Sequence, residues 1–172
     1  GGNTILLHEW LSSQEGHLTC IDPAPGPKFI EWLAKNIPHV RHIPAISLEA
    51  IGSLEPMDAW FVDGDHNWYT VYHELTLIKQ VMEKNSKNTL IFLHDVSWPW
   101  ARRDLYYHPA SIPPAYCHPH DYRLGVTLES NALIQGGFRS EGAYACACHE
   151  GGKQNGVLTA IEDFIQQYPD DF

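Results

Sequence analysis

Residues 59–69 read AWFVDGDHNWY. The apolar run Ala59, Trp60, Phe61, Val62 stops abruptly at Asp63, Gly64, Asp65 and His66, and aromatic residues follow at Trp68 and Tyr69. A short apolar run bounded by Asp-Gly-Asp is the pattern of a buried strand ending in a loop. From Trp68 the period changes. Trp68, Val71, Tyr72, Leu75, Ile78 and Met82 recur at helical spacing, which predicts an amphipathic helix over 68–84. The next apolar run, NTLIFL at 88–93, is a second strand. It is continuously apolar and so is expected to be buried on both faces. It ends in His94-Asp95.

The same alternation runs toward the N-terminus. HLTCI at 17–21 reads as a strand that ends in Asp22 and a Pro/Gly cluster. Phe29, Ile30, Leu33 and Ile37 then fall at helical spacing, with Pro27 near the first turn. VRHIPA at 40–45 is a further short strand, and SLEAIGSL at 47–54 a short helix with Ser47 as its cap. Residues 3–11 read as a helix with Ile5, Leu6 and Trp10 apolar and Asn3 or Thr4 as N-cap. Beyond Asp95 the pattern dissolves. Residues 96–155 are punctuated by Pro99, Pro109, Pro113, Pro114 and Pro119 and contain at best short strands, in LIQGGF and GAYACAC. A stretch this long is expected to be a loop-rich insertion or lid. Val157, Leu158, Ile161, Phe164 and Ile165 then mark a terminal amphipathic helix. Strand–helix alternation implies an α/β fold with a doubly wound, mostly parallel sheet, in a single domain over 1–172.

The bulk properties exclude several classes. A length of 172 residues suits one domain with a real core. A net charge of −10 argues against a nucleic-acid partner. No apolar run approaches the roughly 20 residues needed to span a bilayer, so no membrane partner is expected. No signal peptide is visible, which points to a cytoplasmic protein. The chain opens with GGNTILL, without methionine, as a piece of a longer protein would. Cys20 lies in a predicted strand and reads as a reduced core thiol. YCHPH and ACACHE lack the paired C-x2-C spacing of a structural zinc site, and a core of this size needs no disulfide framework.

In doubly wound sheets, ligands bind beyond the carboxyl ends of the strands. Asp22, the Asp63–His66 cluster and His94-Asp95 each follow a predicted strand and are expected to meet on one edge. Asp22 suits the hydroxyls of a ribose, or else a turn in DPAPG. Asp63, Asp65, His66, His94 and Asp95 combine carboxylates with imidazoles, a donor set for a divalent cation. The competing duties are structural: Asp65 as the cap of the following helix, Asp95 as the order of its own loop. Burying the whole set without partners is costly, which favours function. Trp68, Tyr69, Trp98 and Trp100 either wall a pocket or pack the core. Arg102 and Arg103 suit an anionic substrate group or the acids of the protein itself, and the second is expected.

With these clusters in hand, the chain resembles the class I S-adenosylmethionine-dependent methyltransferases. More narrowly it resembles small-molecule O-methyltransferases that carry VDGDH after one strand and HD after the next. The resemblance covers roughly residues 1–96. HDVSWPWARRDLYY and HEGGKQNGVLTAIEDFI also resemble segments of bacterial methyltransferases that sometimes accompany glycosyltransferases. The resemblance implies a Rossmann-like methyltransferase fold, here without its first strand and its last two strands. It implies S-adenosylmethionine as cofactor, with a divalent metal such as magnesium or manganese. Gly1 and Gly2 would end the glycine loop beside the methionine moiety, Asp22 would bind the ribose, and Ser47 would lie near the adenine. Asp63 would sit beside the sulfonium and ligate the metal, with His94 and Asp95 as the other metal ligands. His66 would be the general base. The resemblance thus implies methylation of a hydroxyl on a sugar or another polar small molecule, by a homo-oligomer or a fusion to a glycosyltransferase. Two other readings share the residues: a metal-dependent hydrolase of the phosphoesterase kind, and a non-catalytic methyltransferase-fold module of a larger carbohydrate-assembly protein. The first lacks the G-D-x-H and G-N-H-[DE] strings of metallophosphoesterases.

Overall fold

A computed structural model describes residues 2–36 and 39–169. Gly1, which the resemblance places at the end of a glycine loop, lies outside the described residues. The chain divides into two compact units, Gly1–Leu54 and Glu55–Phe172.

The first unit runs α1 (Gly2–Ser12), β1 (Leu18–Ile21), α2 (Pro27–Asn36), β2 (Val40–Ile43) and α3 (Ser47–Ala50), followed by a 3-10 turn at Ile51–Ser53. Gly2 is the first residue of α1, so Asn3 and Thr4 fall inside its first turn and do not cap it. Pro27 opens α2, where a missing N–H costs nothing. The strands β1 and β2 pair in parallel, Leu18 opposite Val40 through Ile21 opposite Ile43, with α2 as the crossover. The chain is already extended at Ile46, which is the N-cap of α3 and makes no side-chain cap bond. Ser47 is therefore the first helical residue, one place too late for the capping role expected of it.

The second unit repeats the pattern. β3 (Ala59–Val62) and β4 (Leu90–Leu93) pair in parallel and are joined by α4 (Trp68–Lys84). α4 buries Trp68, Val71, Leu75, Ile78 and Met82, the stripe set by the sequence spacing. It packs against α5 (Val157–Gln167), whose Val157, Ala160 and Phe164 complete the core. Ile91 and Leu93 of β4 face this core. The opposite face is not buried: Phe61, Leu90 and Phe92 are 53%, 64% and 49% exposed, and the rings of Phe61 and Phe92 stack at 4.7 Å. The expectation of a strand buried on both faces is corrected. β4 alternates, because α4 and α5 both cover the Ile91/Leu93 side. Each parallel pair forms a two-stranded sheet of its own.

Residues between β4 and α5 form short strands: β5 (Leu105–Tyr106), β6 (His120–Asp121), β7 (Leu124–Gly125), β8 (Ile134–Gln135) and β9 (Ala145–Ala147). β9 lies between β5 and β6 in an antiparallel sheet, and β7 pairs with β8. Leu105, Tyr106 and Ala145 through Ala147 are fully buried. Trp100 is buried with them, whereas Trp98 is 48% exposed. Arg102 forms an ion pair with Glu162, and Arg103 donates to the carbonyls of Ala147 and Asn131, so both arginines serve the protein itself.

Asp104, fully buried, ties this segment to both helices. Its Oδ1 accepts from the Trp68 N–H at 2.7 Å and the Gly156 N–H at 2.6 Å, at the starts of α4 and α5. Its Oδ2 accepts from the Tyr106 hydroxyl at 2.8 Å. Gly156 has φ +91°, and a Cβ there would meet the Ala101 carbonyl oxygen at 2.4 Å, so only glycine fits. The four cysteines are free thiols. Among the described residues, no helix is long and apolar enough to cross a membrane.

Candidate active site

The loop after β3 is held from several sides. Asp65 Oδ1 accepts from the His66 N–H at 3.0 Å, and Oδ2 from the Thr70 hydroxyl at 3.0 Å. Burial pushes the Asp65 carboxyl up, against hydrogen bonds from Thr70, Asn67 and His66 that pull it down. The cap of α4 is Asn67, whose side chain accepts from the Thr70 N–H at 2.9 Å. Asp65, expected to be that cap, instead folds its own loop onto Thr70, because Asn67 stands at the position whose side chain reaches the free N–H groups. The Leu105 N–H donates to the His66 carbonyl at 3.1 Å, which bridges the loop to β5.

After β4 the ladder continues one step, with the His94 N–H donating to the Val62 carbonyl at 3.1 Å. Asp95 follows in the left-handed region at φ +55°. These constraints bring four side chains to one place. Asp63 Oδ1 lies 3.1 Å from His94 Nδ1, and Asp95 Oδ2 lies 3.2 Å from the same nitrogen. His66 Nε2 is 2.7 Å from Asp95 Oδ2 and 3.7 Å from Asp63 Oδ1. All four donor atoms fall within 4.8 Å of one another, and among the described residues this is the one group of its kind. The two clusters that the sequence places after separate strands thus meet.

His66 is 7% exposed, and its Nε2 has no hydrogen-bond partner although Asp95 Oδ2 is close. The two atoms thus lie close without a hydrogen bond between them, as two atoms that share a third partner would. Two carboxylate oxygens and two imidazole nitrogens around one point form a donor set for a divalent cation of the manganese, iron or zinc kind. Asp63, His94 and Asp95 fit as ligands, and His66 Nε2 faces the same point.

Tyr107 also reaches this cluster, and sequence reasoning missed it. Its hydroxyl is 3.2 Å from His66 Nδ1. No spacing links positions 41 residues apart. A methyltransferase-domain family profile matches residues 1–96, more than half of the chain. The chain belongs to the class I S-adenosylmethionine-dependent methyltransferase family. No curated protein and no solved structure matches it. The family places the methyltransferase in the Rossmann-like α/β class and makes S-adenosylmethionine its methyl donor. The matched region contains Asp63, His66, His94 and Asp95 and ends one residue after the last of them. Tyr107 lies beyond it.

In the first unit of the methyltransferase, Asp22 stands directly after β1. Its Oδ1 accepts from the Ala24 N–H at 2.9 Å, and its carbonyl bonds the His42 ring at 2.9 Å. The carboxylate is thus engaged in its turn, the alternative the sequence left open beside ribose binding. Gly2 opens α1 and Ser47 opens α3.

Proposed function

We propose that this methyltransferase moves a methyl group to a hydroxyl of a sugar or a similar polar small molecule, assisted by a divalent cation. The observation that carries the reading is the convergence of Asp63, His66, His94 and Asp95 in a family member. Asp63, His94 and Asp95 would hold the cation. When bound there, a divalent cation would supply Lewis-acid activation of the acceptor hydroxyl. His66, with its Nε2 aimed at the cluster, receives the hydroxyl proton. The acceptor oxygen forms its bond to the methyl carbon as the carbon–sulfur bond breaks, and the sulfonium leaves as a neutral thioether. Asp22 accepts the ribose hydroxyls of the donor through its carboxylate, and Ser47 lies toward the adenine.

Two measurements on the full chain test this. Calorimetry should show S-adenosylmethionine binding, weakened at least about tenfold in Asp22→Ala, the size of a lost charge-assisted hydrogen-bond pair. Methyl transfer from labelled S-adenosylmethionine to a panel of sugars and polyols should stop with EDTA and return with manganese. Methyl transfer indifferent to EDTA would remove the cation from the mechanism, and absence of donor binding would sink the reading altogether.

A further inference from the structure

The two ring nitrogens of His66 face different partners. Nε2 faces Asp95 and Asp63, while Nδ1 lies 3.2 Å from the Tyr107 hydroxyl. A neutral imidazole carries one N–H and one lone pair, and the partners decide which nitrogen carries which. A proton on Nε2 would be buried with no acceptor along its axis, since that nitrogen has no hydrogen bond despite its carboxylate neighbour. A proton on Nδ1 finds the Tyr107 oxygen.

We infer that Tyr107 is a positioning residue for this site: it accepts the Nδ1–H of His66 and so leaves Nε2 unprotonated beside Asp63, His94 and Asp95. The inference rests on the cation-assisted reading above. Either task of Nε2, taking the hydroxyl proton or adding a nitrogen ligand to the cation, needs its lone pair. A phenol suits the role because it stays neutral. Burial, together with Tyr144 and the carboxylates of Asp65, Asp63 and Asp95, pushes its ionisation well above the ordinary value. It therefore offers an oxygen without adding a further negative charge.

The fold holds the pair in register. Tyr107 directly follows β5, and Leu105 of β5 bonds the His66 backbone. The Tyr107 ring meets the His66 ring edge-on at 5.8 Å and rests against Tyr144 at 4.5 Å. Tyr107 lies outside the residues matched by the family profile, so the partner of His66 comes from the segment that follows the match.

The tautomer can be read directly. Ring nitrogen NMR on the 15N-labelled full chain distinguishes a protonated from a bare nitrogen. The His66 signals are those lost in His66→Gln. The expected result is a protonated Nδ1 and a bare Nε2. In Tyr107→Phe the proton should move to Nε2 with the melting temperature unchanged. A wild-type spectrum with the proton on Nε2 overturns the inference, and this outcome does not depend on how the variant folds. An unchanged tautomer in Tyr107→Phe also overturns it. If the tautomer results hold but no methyl transfer occurs, the functional reading fails and the role of Tyr107 stands.

Discussion

Asp95 combines a demanding backbone with a demanding position. Its φ of +55° lies in the left-handed region, which Asp and Asn tolerate and most residues do not. That bend turns its carboxylate back toward His66 and His94. The two requirements separate by substitution. Asp95→Asn keeps the backbone preference and removes the charge, so manganese binding by calorimetry should weaken at least about tenfold while the fold holds. Asp95→Ala should lose the same affinity and also about 1–2 kcal/mol of stability relative to Asn, the cost of an ordinary side chain in that region. Equal melting temperatures for the two variants would show that the bend carries no strain. The importance of His94-Asp95 was legible in the sequence, because two polar residues end an apolar strand. The left-handed turn that aims them was not, since Asp before Val-Ser carries no turn signature.

At the scale of elements, Asp104 does what capping residues do elsewhere, but for two helices at once. Asp104→Ala would leave the N–H groups of Trp68 and Gly156 and the Tyr106 hydroxyl without their acceptor. Each orphaned buried donor costs about 1–3 kcal/mol, so thermal or urea denaturation should show a loss of several kcal/mol. The carboxyl is also pushed up to about 6 by burial, against the hydrogen bonds from Gly156, Trp68 and Tyr106 that pull it down. An unfolded aspartate titrates near about 3.9, so between these values the native state binds more protons. The stability contributed by this group is therefore fully present below about pH 4 and is lost as pH rises through about 6, by at most about 1.4 kcal/mol per unit. Against the non-titrating Asp104→Asn, the wild-type advantage should shrink from pH 4 to pH 7. A constant gap would refute the raised pKa. α4 itself was legible because its apolar stripe repeats over seventeen residues. Its cap was misplaced because Asp65 and Asn67 are both good caps and only the fold decides between them. Asp104 was illegible, since a buried carboxylate inside ARRDLYY looks like ordinary surface polarity.

For the molecule as a whole, the two parallel strand–helix–strand units were readable because their signals are local. The stretch between β4 and α5 was not. Its strands are two or three residues long, too short for any period, and its packing depends on distant partners such as His66 with Leu105 and Arg102 with Glu162. Burial is also unevenly divided between the units. Among the described residues, the first unit buries only Val40, Ala50, Ile51 and Leu54 of its apolar side chains, and α2 buries none. The second contains the large cluster of Trp68, Leu75, Trp100, Leu105, Cys146 and Phe164. Local stability follows buried apolar contact, so amide exchange should be fastest in α1 and α2 and slowest in α4 and β9. Ligands then separate the proposed roles. S-adenosylmethionine should slow exchange around Asp22 and Ser47, because a ligand stabilises the segments that hold it. Manganese should slow exchange at 63–66 and 94–95. If the donor leaves the Asp22 and Ser47 segments unchanged, those residues lose their place in the cofactor site. The turn bond from Ala24 to Asp22 would then be the whole duty of that carboxylate.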